Sequence, residues 1–146
     1  MTKHFLFWQK WLLTISGVFV VVGLMLSILG GTPMLKPVLD GLLQVSPTFW
    51  AASEVTPAIR GFQQFSYGVM GAELAGWGVF MFFIVSNGFA RREKWAWQCL
   101  AAAFSVWFIP DTAMSLYAGV VFNALSNFAT LVAVALPLAF THTAFK

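Results

Sequence analysis

Charge is the property that this sequence has least of. Asp, Glu, Lys and Arg make up only 9% of its 146 residues, whereas a soluble globular domain has about 25%. Hydrophobic residues make up 60%, and the mean hydropathy is +0.82. These proportions exclude a soluble globular protein and predict a chain that lies in the lipid bilayer.

Cysteine and histidine are scarce as well. Cys99 is the only cysteine, so the chain has no intrachain disulfide, no CxxC redox pair and no cysteine-based metal cage. The two histidines, His4 and His142, lie near the chain ends, which argues against a bis-histidine haem or a buried metal centre. The sequence also lacks a P-loop and a GxSxG motif. We therefore expect no metal, no cofactor and no catalytic residues, and an enzyme is the less favoured class.

Basic residues outnumber acidic ones by 8 to 5, which gives a net charge of +3. This excess does not point to nucleic acid, because the basic residues are few and lie where apolar runs end, as membrane topology requires. We expect the lipid bilayer as a partner and no nucleic acid. The aromatic content, 17% of all residues, would also suit a homo-oligomer or a partner subunit in a membrane complex.

Long uncharged runs are what the sequence does have. The first, residues 11–30, exceeds the roughly 7–15 residues of a signal-peptide core, and the GGTPM that follows is not a convincing cleavage site. We therefore interpret this run as an uncleaved membrane helix.

A membrane span needs about 20 apolar residues, and it must be helical because an open strand cannot satisfy its backbone in lipid. We predict an all-α, integral membrane four-helix bundle, a single domain of residues 1–146, with spans at about 11–30, 61–89, 95–116 and 119–140.

The orientation follows from the distribution of the basic residues. Two of them, Lys36 and Arg60, lie between the first two spans, and six lie on the other side: Lys3, Lys10, Arg91, Arg92, Lys94 and Lys146. We expect both termini in the cytoplasm, in a multi-pass protein of the cytoplasmic (inner) membrane of a bacterium. Residues 31–60 are then an exported loop.

Four prolines in this exported loop exclude one long helix across it. Its middle alternates apolar residues with Asp40, Gly41 and Gln44, as a short amphipathic helix at the outer interface would. The alternative interpretation is a partly ordered lid over the bundle. The prolines are Pro33, Pro37, Pro47 and Pro57, and the apolar residues are Val38, Leu39, Leu42, Leu43 and Val45.

Small residues predict which helix faces approach one another closely. They form one stripe in each of the first two spans, so we expect these stripes to be packing surfaces. The stripes are Ser16, Gly23, Ser27 and Gly30 in the first span, and Gly68, Ala72 and Gly76 in the second.

Two carboxylates lie inside predicted spans, and an ionisable group at membrane depth is a candidate functional residue because it is costly there. Glu73 lies 18 residues before Arg91, and Asp111 lies 17 residues after Lys94. At about 1.5 Å per residue, both carboxylates are about 26 Å from the cytoplasmic charges. We expect them to be buried and level with each other in the outer half of the membrane.

Further polar and aromatic residues should surround these two carboxylates. A tight turn centred on Ala118 would place Asp111 between Asn123 and Asn127, with Thr130 on the same helix face. Pro110 removes an intrahelical hydrogen bond beside this site, whereas Pro137 carries less information. The predicted ligand-binding or polar cluster is Glu73, Asp111, Asn123, Asn127, Ser115, Trp77 and Trp107, with Phe104 as a further wall.

Three functions are open for this cluster. The leading hypothesis is a non-enzymatic binding or accessory subunit whose polar site takes a small lipid-soluble or cationic ligand. The rival is a proton-coupled carrier or small membrane enzyme in which Glu73 and Asp111 exchange protons. The third is a structural scaffold in which the polar residues only clamp helices, each bond adding about 0.6 kcal/mol.

Residues 71–78, GAELAGWG, and residues 91–97, RREKWAW, together resemble the DoxX-like group of small bacterial four-helix membrane proteins. That group pairs a Glu and small residues in the second span with a basic loop and a third span. The resemblance implies an accessory subunit of a membrane oxidoreductase or quinone-linked complex, and it marks Glu73 and the glycines that follow. The chain departs from the group in lacking an Arg within the first span, and Pro110-Asp111 has no counterpart there.

Overall fold

The computed structural model describes residues 3–44 and 56–145 of the chain. This part is all-α, and its helices are α1 (Lys3–Leu29), α2 (Lys36–Gln44), α3 (Pro57–Ile84), α4 (Lys94–Tyr117) and α5 (Val121–Thr141). A π-helical turn, Val85–Phe89, continues α3, and a 3-10 turn, His142–Ala144, continues α5. Within the described residues α1, α3, α4 and α5 are each long and apolar enough to cross a membrane. Val45, Pro47 and Lys146, named above, lie outside the described residues.

Two helices begin earlier than their apolar runs. Helix α1 begins at Lys3 rather than near residue 11. Burial of the Phe5 side chain stabilises its first turns. Helix α3 begins at Pro57 rather than near residue 61. The Thr56 hydroxyl accepts a hydrogen bond from the Ile59 N–H at 3.3 Å, and Pro57 suits a first turn that needs no amide donor. Burial of Phe5 thus accompanies the extension of α1, and capping by Thr56 extends α3.

The connection from α3 to α4 closes with a hydrogen-bonded C-terminal motif. The Glu93 N–H donates to the Gly88 carbonyl at 2.9 Å, and the Arg92 N–H donates to the Phe89 carbonyl at 2.9 Å. This is the Schellman pattern, whose left-handed residue is usually glycine. Here it is Arg92, with φ 59°, and its guanidinium lies 4.9 Å from the centre of the Phe5 ring. A cation–π contact thus accompanies a backbone conformation that is unfavourable for a side chain.

The connection from α4 to α5 uses the same pattern with glycine. The Val120 N–H donates to the Ser115 carbonyl at 2.8 Å, and the Gly119 N–H donates to the Leu116 carbonyl at 3.1 Å. Gly119 has φ 71°, which glycine adopts without a steric penalty. The predicted tight turn at residues 117–119 is confirmed.

Helices α1 and α3 pack backbone against backbone. A Cβ atom on Gly71 would lie 2.6 Å from the Gly23 carbonyl oxygen, and one on Gly78 would lie 2.7 Å from the Ser16 carbonyl oxygen. The predicted packing stripe on α1 therefore faces α3. Such contact requires small residues at these positions on both helices.

The packing stripe predicted for α3 is right for Gly68, whose Cβ would lie 3.9 Å from the Ser27 carbonyl oxygen, and wrong for Ala72 and Gly76. A Cβ on Gly76 would have no neighbour within 4 Å, and Ala72 is exposed. The residues that face α1 are Gly68, Gly71, Ala75 and Gly78. Successive residues on a helix differ by about 100°, so two stripes of small residues one position apart lie on different faces. Spacing alone does not distinguish them.

The four long helices form a ring with three closed seams. Helix α1 packs along α3 and also contacts α5, and α5 packs against α4. Helices α3 and α4 make hardly any direct backbone contact, and α4 instead contacts the π-helical turn that ends α3. The seam between α3 and α4 therefore lacks close backbone packing, although the Trp77 and Trp107 rings meet across it; it is here called the open seam.

Aromatic residues close the end of the bundle that holds Lys3 and Arg91, here called the basic end. The rings of Phe5 and Phe89 are stacked with their centres 5.5 Å apart, and the Phe89 and Phe145 ring centres are 4.7 Å apart. All three side chains are buried. This cluster joins α1, the π-helical turn and the C-terminal residues.

Two tryptophans attach neighbouring helices to α5. The Trp97 indole donates a hydrogen bond to the Leu138 carbonyl at 2.9 Å, and the Trp11 indole donates one to the Ala133 carbonyl at 2.8 Å. Ala133 lies four residues before Pro137, so its carbonyl has no donor within the helix. Pro137 carried little information in the sequence. In the structure it leaves the Ala133 carbonyl free to accept the Trp11 hydrogen bond.

Helix α2 occupies part of the predicted exported loop. The Arg60 guanidinium in the first turns of α3 forms an ion pair with the Asp40 carboxylate of α2. A short helix is therefore present where the alternation of apolar and polar residues predicted one. The ion pair fixes it to the end of α3 opposite the basic end.

Candidate functional site

A cavity of about 450 Å³ lies inside the ring of four long helices. This volume falls in the range of about 300–1,000 Å³ that small-molecule sites occupy. All four long helices contribute to its wall. The lining residues are Val18, Phe19, Val22 and Leu26 of α1; Tyr67, Met70, Glu73, Leu74 and Trp77 of α3; Phe104, Trp107 and Asp111 of α4; and Asn123, Asn127 and Thr130 of α5.

Helix α3 presents Glu73 to this cavity as a consequence of how it packs on α1. Gly71, Ala75 and Gly78 face α1, which turns Glu73 and Trp77 toward the space beside α4. The expectation that Glu73 is buried is wrong, because its side chain is exposed. The physical reason is the open seam between α3 and α4, where no helix covers this face.

Glu73 differs from Asp111, Asn123 and Asn127 of the same cavity in having no hydrogen-bond partner among the described residues. Among the residues that the structure describes, no side chain donates a hydrogen bond to its carboxylate and none forms an ion pair with it. A carboxylate at membrane depth is costly unless it is paired or hydrated. The acceptor oxygens of Glu73 are thus available to a ligand.

Asp111 belongs to a different arrangement that joins α4 to α5. The Asn123 amide donates to the Asp111 carboxylate at 3.2 Å and to the Ser115 hydroxyl at 2.8 Å. The Ser115 hydroxyl in turn donates to the Asp111 main-chain carbonyl at 2.7 Å. Each polar side chain of this group has a hydrogen-bond partner, so the group holds two helices together.

Asn127 extends the same connection one turn further along α5. Its amide donates to the Thr112 hydroxyl at 3.3 Å, and the side chain is only 4% exposed. Of the two amides between which Asp111 was expected, Asn123 bonds its carboxylate, and Asn127 bonds the adjacent Thr112.

A layer of aromatic rings crosses the ring of helices beside Glu73. The Trp77 and Trp107 ring centres are 6.3 Å apart with an edge-to-face angle of 83°. Trp107 contacts Phe104 at 6.1 Å, and Phe104 contacts Phe19 at 6.4 Å. The first two of these contacts are edge-to-face, a geometry that is favourable beyond the area that it buries. They define the end of the polar cavity.

A second cavity of about 320 Å³ lies on the other side of this aromatic layer, toward the basic end. No charged side chain of the described residues lines it. The lining residues are Phe19, Trp77, Phe80, Met81, Ile84, Cys99, Leu100, Ala103 and Phe104. Phe19, Trp77 and Phe104 thus line both cavities, which are adjacent compartments of one groove between α3 and α4.

The charges of the groove are of one sign. Glu73 and Asp111 are acidic, and among the described residues no Lys, Arg or His lines either cavity. In the described part of the chain, no group of three or more His, Cys, Asp or Glu side chains lies close enough to hold a metal ion. The electrostatics of the groove therefore favour a cationic or hydrogen-bond-donating group.

Most of the predicted polar cluster lies at this groove, although its function is still a prediction. Glu73, Trp77, Trp107, Asp111, Asn123 and Asn127 line the first cavity. Ser115 does not, because it is buried behind Asp111 and Asn123.

Sequence reasoning missed the part of the wall that α1 provides. Phe19, Val22 and Leu26 recur at i, i+3 and i+7 beside the small residues of α1, and this helical spacing was an available signal. Tyr67 and Met70 of α3 line the cavity as well, and the sequence did not indicate them.

Comparison of the chain with family models, with curated proteins and with solved structures finds no match.

Proposed function

We propose that this small multi-pass membrane protein is a non-enzymatic binding or accessory subunit that holds the polar head of a lipid-soluble ligand in its first cavity. The observation that carries this proposal is Glu73, which has no partner among the described residues and lines a cavity with aromatic walls. Lipid can reach this cavity through the open seam between α3 and α4.

The polar cluster divides into two parts with different roles. Asp111, Asn123 and Ser115 satisfy one another and join α4 to α5, as helix clamps in membranes do. Glu73 takes no part in that clamp. Since a helix clamp does not account for an unpaired carboxylate on a cavity wall, ligand binding is the better explanation of Glu73.

The proposal includes an orientation. Lys3, Lys10, Arg91, Arg92 and Lys94 lie toward the basic end, and Lys36 and Arg60 lie toward the opposite end. By the positive-inside rule the basic end faces the cytoplasm, in the inner membrane of a bacterium. Glu73 and Asp111, about 26 Å from the basic end, then lie in the outer half of the bilayer.

The resemblance to the DoxX-like group supports an accessory role beside a membrane oxidoreductase or quinone-linked complex, which we retain as part of the proposal. Of the motif residues, Gly71 and Gly78 contact α1 directly. Their presence is thus explained by helix packing. Glu73 is the motif residue that packing leaves unexplained.

A second candidate function is a proton-coupled carrier, and one observation favours it. Glu73 and Asp111 line the same cavity, so a proton could pass between them through water. This function predicts that Glu73→Gln and Asp111→Asn each abolish a pH-dependent transport activity while the protein still folds. The binding function predicts that only Glu73→Gln lowers ligand affinity markedly.

The binding proposal is tested with a probe that carries a head group and no alkyl chain. Phenyltrimethylammonium, titrated calorimetrically into the protein in lipid nanodiscs, should bind the natural chain and bind Glu73→Gln about tenfold more weakly, the effect of losing one charge-assisted contact. The matched control is Glu93→Gln, since Glu93 lies in the loop between α3 and α4 and outside the groove. Absence of binding, or equal binding to Glu73→Gln, would contradict the proposal.

A further inference from the structure

We propose that the ligand is a single-chain amphiphile with an ammonium head group. Its head lies in the first cavity beside Glu73, and its alkyl chain passes the aromatic layer into the second cavity. This inference rests on the proposed function and adds the chemical class of the ligand.

The charge of the head group follows from the first cavity. Its charged side chains are Glu73 and Asp111, and only Asp111 accepts a hydrogen bond from another described side chain. Trp77 and Trp107 supply ring faces and edges beside them. A carboxylate together with aromatic rings is the combination that recognises an ammonium group. An anionic head would meet two carboxylates and no compensating base.

The alkyl chain follows from the second cavity. Its described lining is apolar and uncharged, and it shares Phe19, Trp77 and Phe104 with the first cavity, so only this layer of aromatic side chains lies between the two. Its volume of about 320 Å³ is at the lower end of ligand-sized cavities, which favours one chain over two.

The separation of the two cavities sets the length of that chain. Ile84 at the far end of the second cavity lies 11 residues after Glu73 on α3, which is about 16 Å along a helix. With carbon–carbon bonds of about 1.5 Å, an extended alkyl chain lengthens by about 1.25 Å along its axis for each carbon. A chain of about twelve carbons therefore reaches from the head site to the end of the second cavity.

The open seam provides the entry route. Helices α3 and α4 do not close over the groove, and Trp77 at its middle is 45% exposed. An amphiphile already in the bilayer can thus enter sideways. Its head would point away from the basic end, and its chain would point toward the bilayer centre. An amphiphile in the outer leaflet has the same orientation.

Cys99 gives a direct measure of the second cavity, because it lines that cavity and is the only cysteine of the chain. The experiment measures the rate at which N-cyclohexylmaleimide alkylates Cys99 in nanodiscs. Dodecyltrimethylammonium at about four times its dissociation constant should slow the reaction about fivefold by mass action. Butyltrimethylammonium, whose chain is too short, should leave the rate unchanged at equal occupancy of the head site.

Three comparisons separate the parts of the inference. Dodecanol and dodecanoate carry the chain without the cation, and equal protection by either would overturn the ammonium assignment. Glu73→Gln should remove the protection by dodecyltrimethylammonium. Binding of phenyltrimethylammonium without any protection of Cys99 by the dodecyl probe would overturn the chain assignment and leave the proposed function intact. Failure of both probes to bind would overturn both.

A filled second cavity provides an independent test. Ala103 is exposed and lines this cavity, and Ala102 is exposed and does not. Ala103→Trp should weaken dodecyltrimethylammonium binding about tenfold and leave phenyltrimethylammonium binding unchanged, as expected when a ring occupies the site of the chain. Ala102→Trp should bind both probes as the natural chain does. Equal effects of the two substitutions on the dodecyl probe would contradict the inference.

Discussion

The hydrogen bond from the Trp11 indole to the Ala133 carbonyl should depend on Pro137. An amide at position 137 would normally donate to the carbonyl four residues earlier, and proline has no such donor. The Trp11 indole, 2.8 Å from the Ala133 oxygen, takes that place from a neighbouring helix. Replacing Pro137 by Ala supplies the missing amide and should make the indole dispensable.

The expected magnitudes follow from this geometry. Hydrogen bonds between membrane helices contribute about 0.6 kcal/mol on average and up to about 1.7 kcal/mol. Trp11→Phe should cost about 1–1.5 kcal/mol, in the upper part of that range, because it leaves a carbonyl with no donor from its own helix. In the Pro137→Ala background the same change should cost about 0.5 kcal/mol, so the coupling energy is about 1 kcal/mol.

The assay is reversible unfolding in mixed micelles with increasing sodium dodecyl sulfate, followed by circular dichroism. The natural chain, the two single variants and the double variant complete the cycle. Trp97→Phe is the matched control. The Trp97 indole donates to the Leu138 carbonyl, and Pro137 is not the residue whose amide would bond that carbonyl. Additive effects of Trp11→Phe and Pro137→Ala, or a coupling as large for Trp97→Phe, would refute the reasoning.

Three further predictions concern packing, the helix clamp and topology. Gly78→Ala should destabilise the protein by about 1–3 kcal/mol in the same unfolding assay, since its new methyl would meet the Ser16 backbone; Gly76→Ala should not, and equal losses would contradict the α1–α3 register. Asn123→Ala should cost about 1–2 kcal/mol by leaving Asp111 without its donor, whereas Asp111→Asn should cost less than half as much; the reverse order would refute the clamp. Green fluorescent protein fused to the C-terminus should fluoresce in a bacterial host, and alkaline phosphatase fused there should be inactive; active phosphatase would refute the proposed orientation.

Hydropathy and hairpin register predict much of the fold. The apolar runs predicted four helices because only helices satisfy the backbone in lipid, and four such helices are present in the described residues. Counting 18 residues from Arg91 to Glu73 and 17 from Lys94 to Asp111 placed the two carboxylates at one level. Both side chains line one cavity, because adjacent antiparallel helices share the same rise per residue.

Features that depend on helix rotation were not predictable from the sequence. Two stripes of small residues on α3 have similar spacing, and only the contact with Gly23 shows that Gly71 rather than Gly76 faces α1. The exposure of Glu73 follows from that rotation and from the open seam between α3 and α4. The link between Trp11 and Pro137 joins residues 126 positions apart, and no local pattern indicates it.

The central claim is that Glu73 makes this groove a binding site for a polar head group, and one measurement tests it most directly. Phenyltrimethylammonium is titrated into the natural chain, Glu73→Gln and Glu93→Gln in lipid nanodiscs, and the dissociation constants are compared by calorimetry. The account predicts binding to the natural chain and to Glu93→Gln with the same affinity, and about tenfold weaker binding to Glu73→Gln. The same affinity for all three proteins, or no binding to any of them, would contradict it.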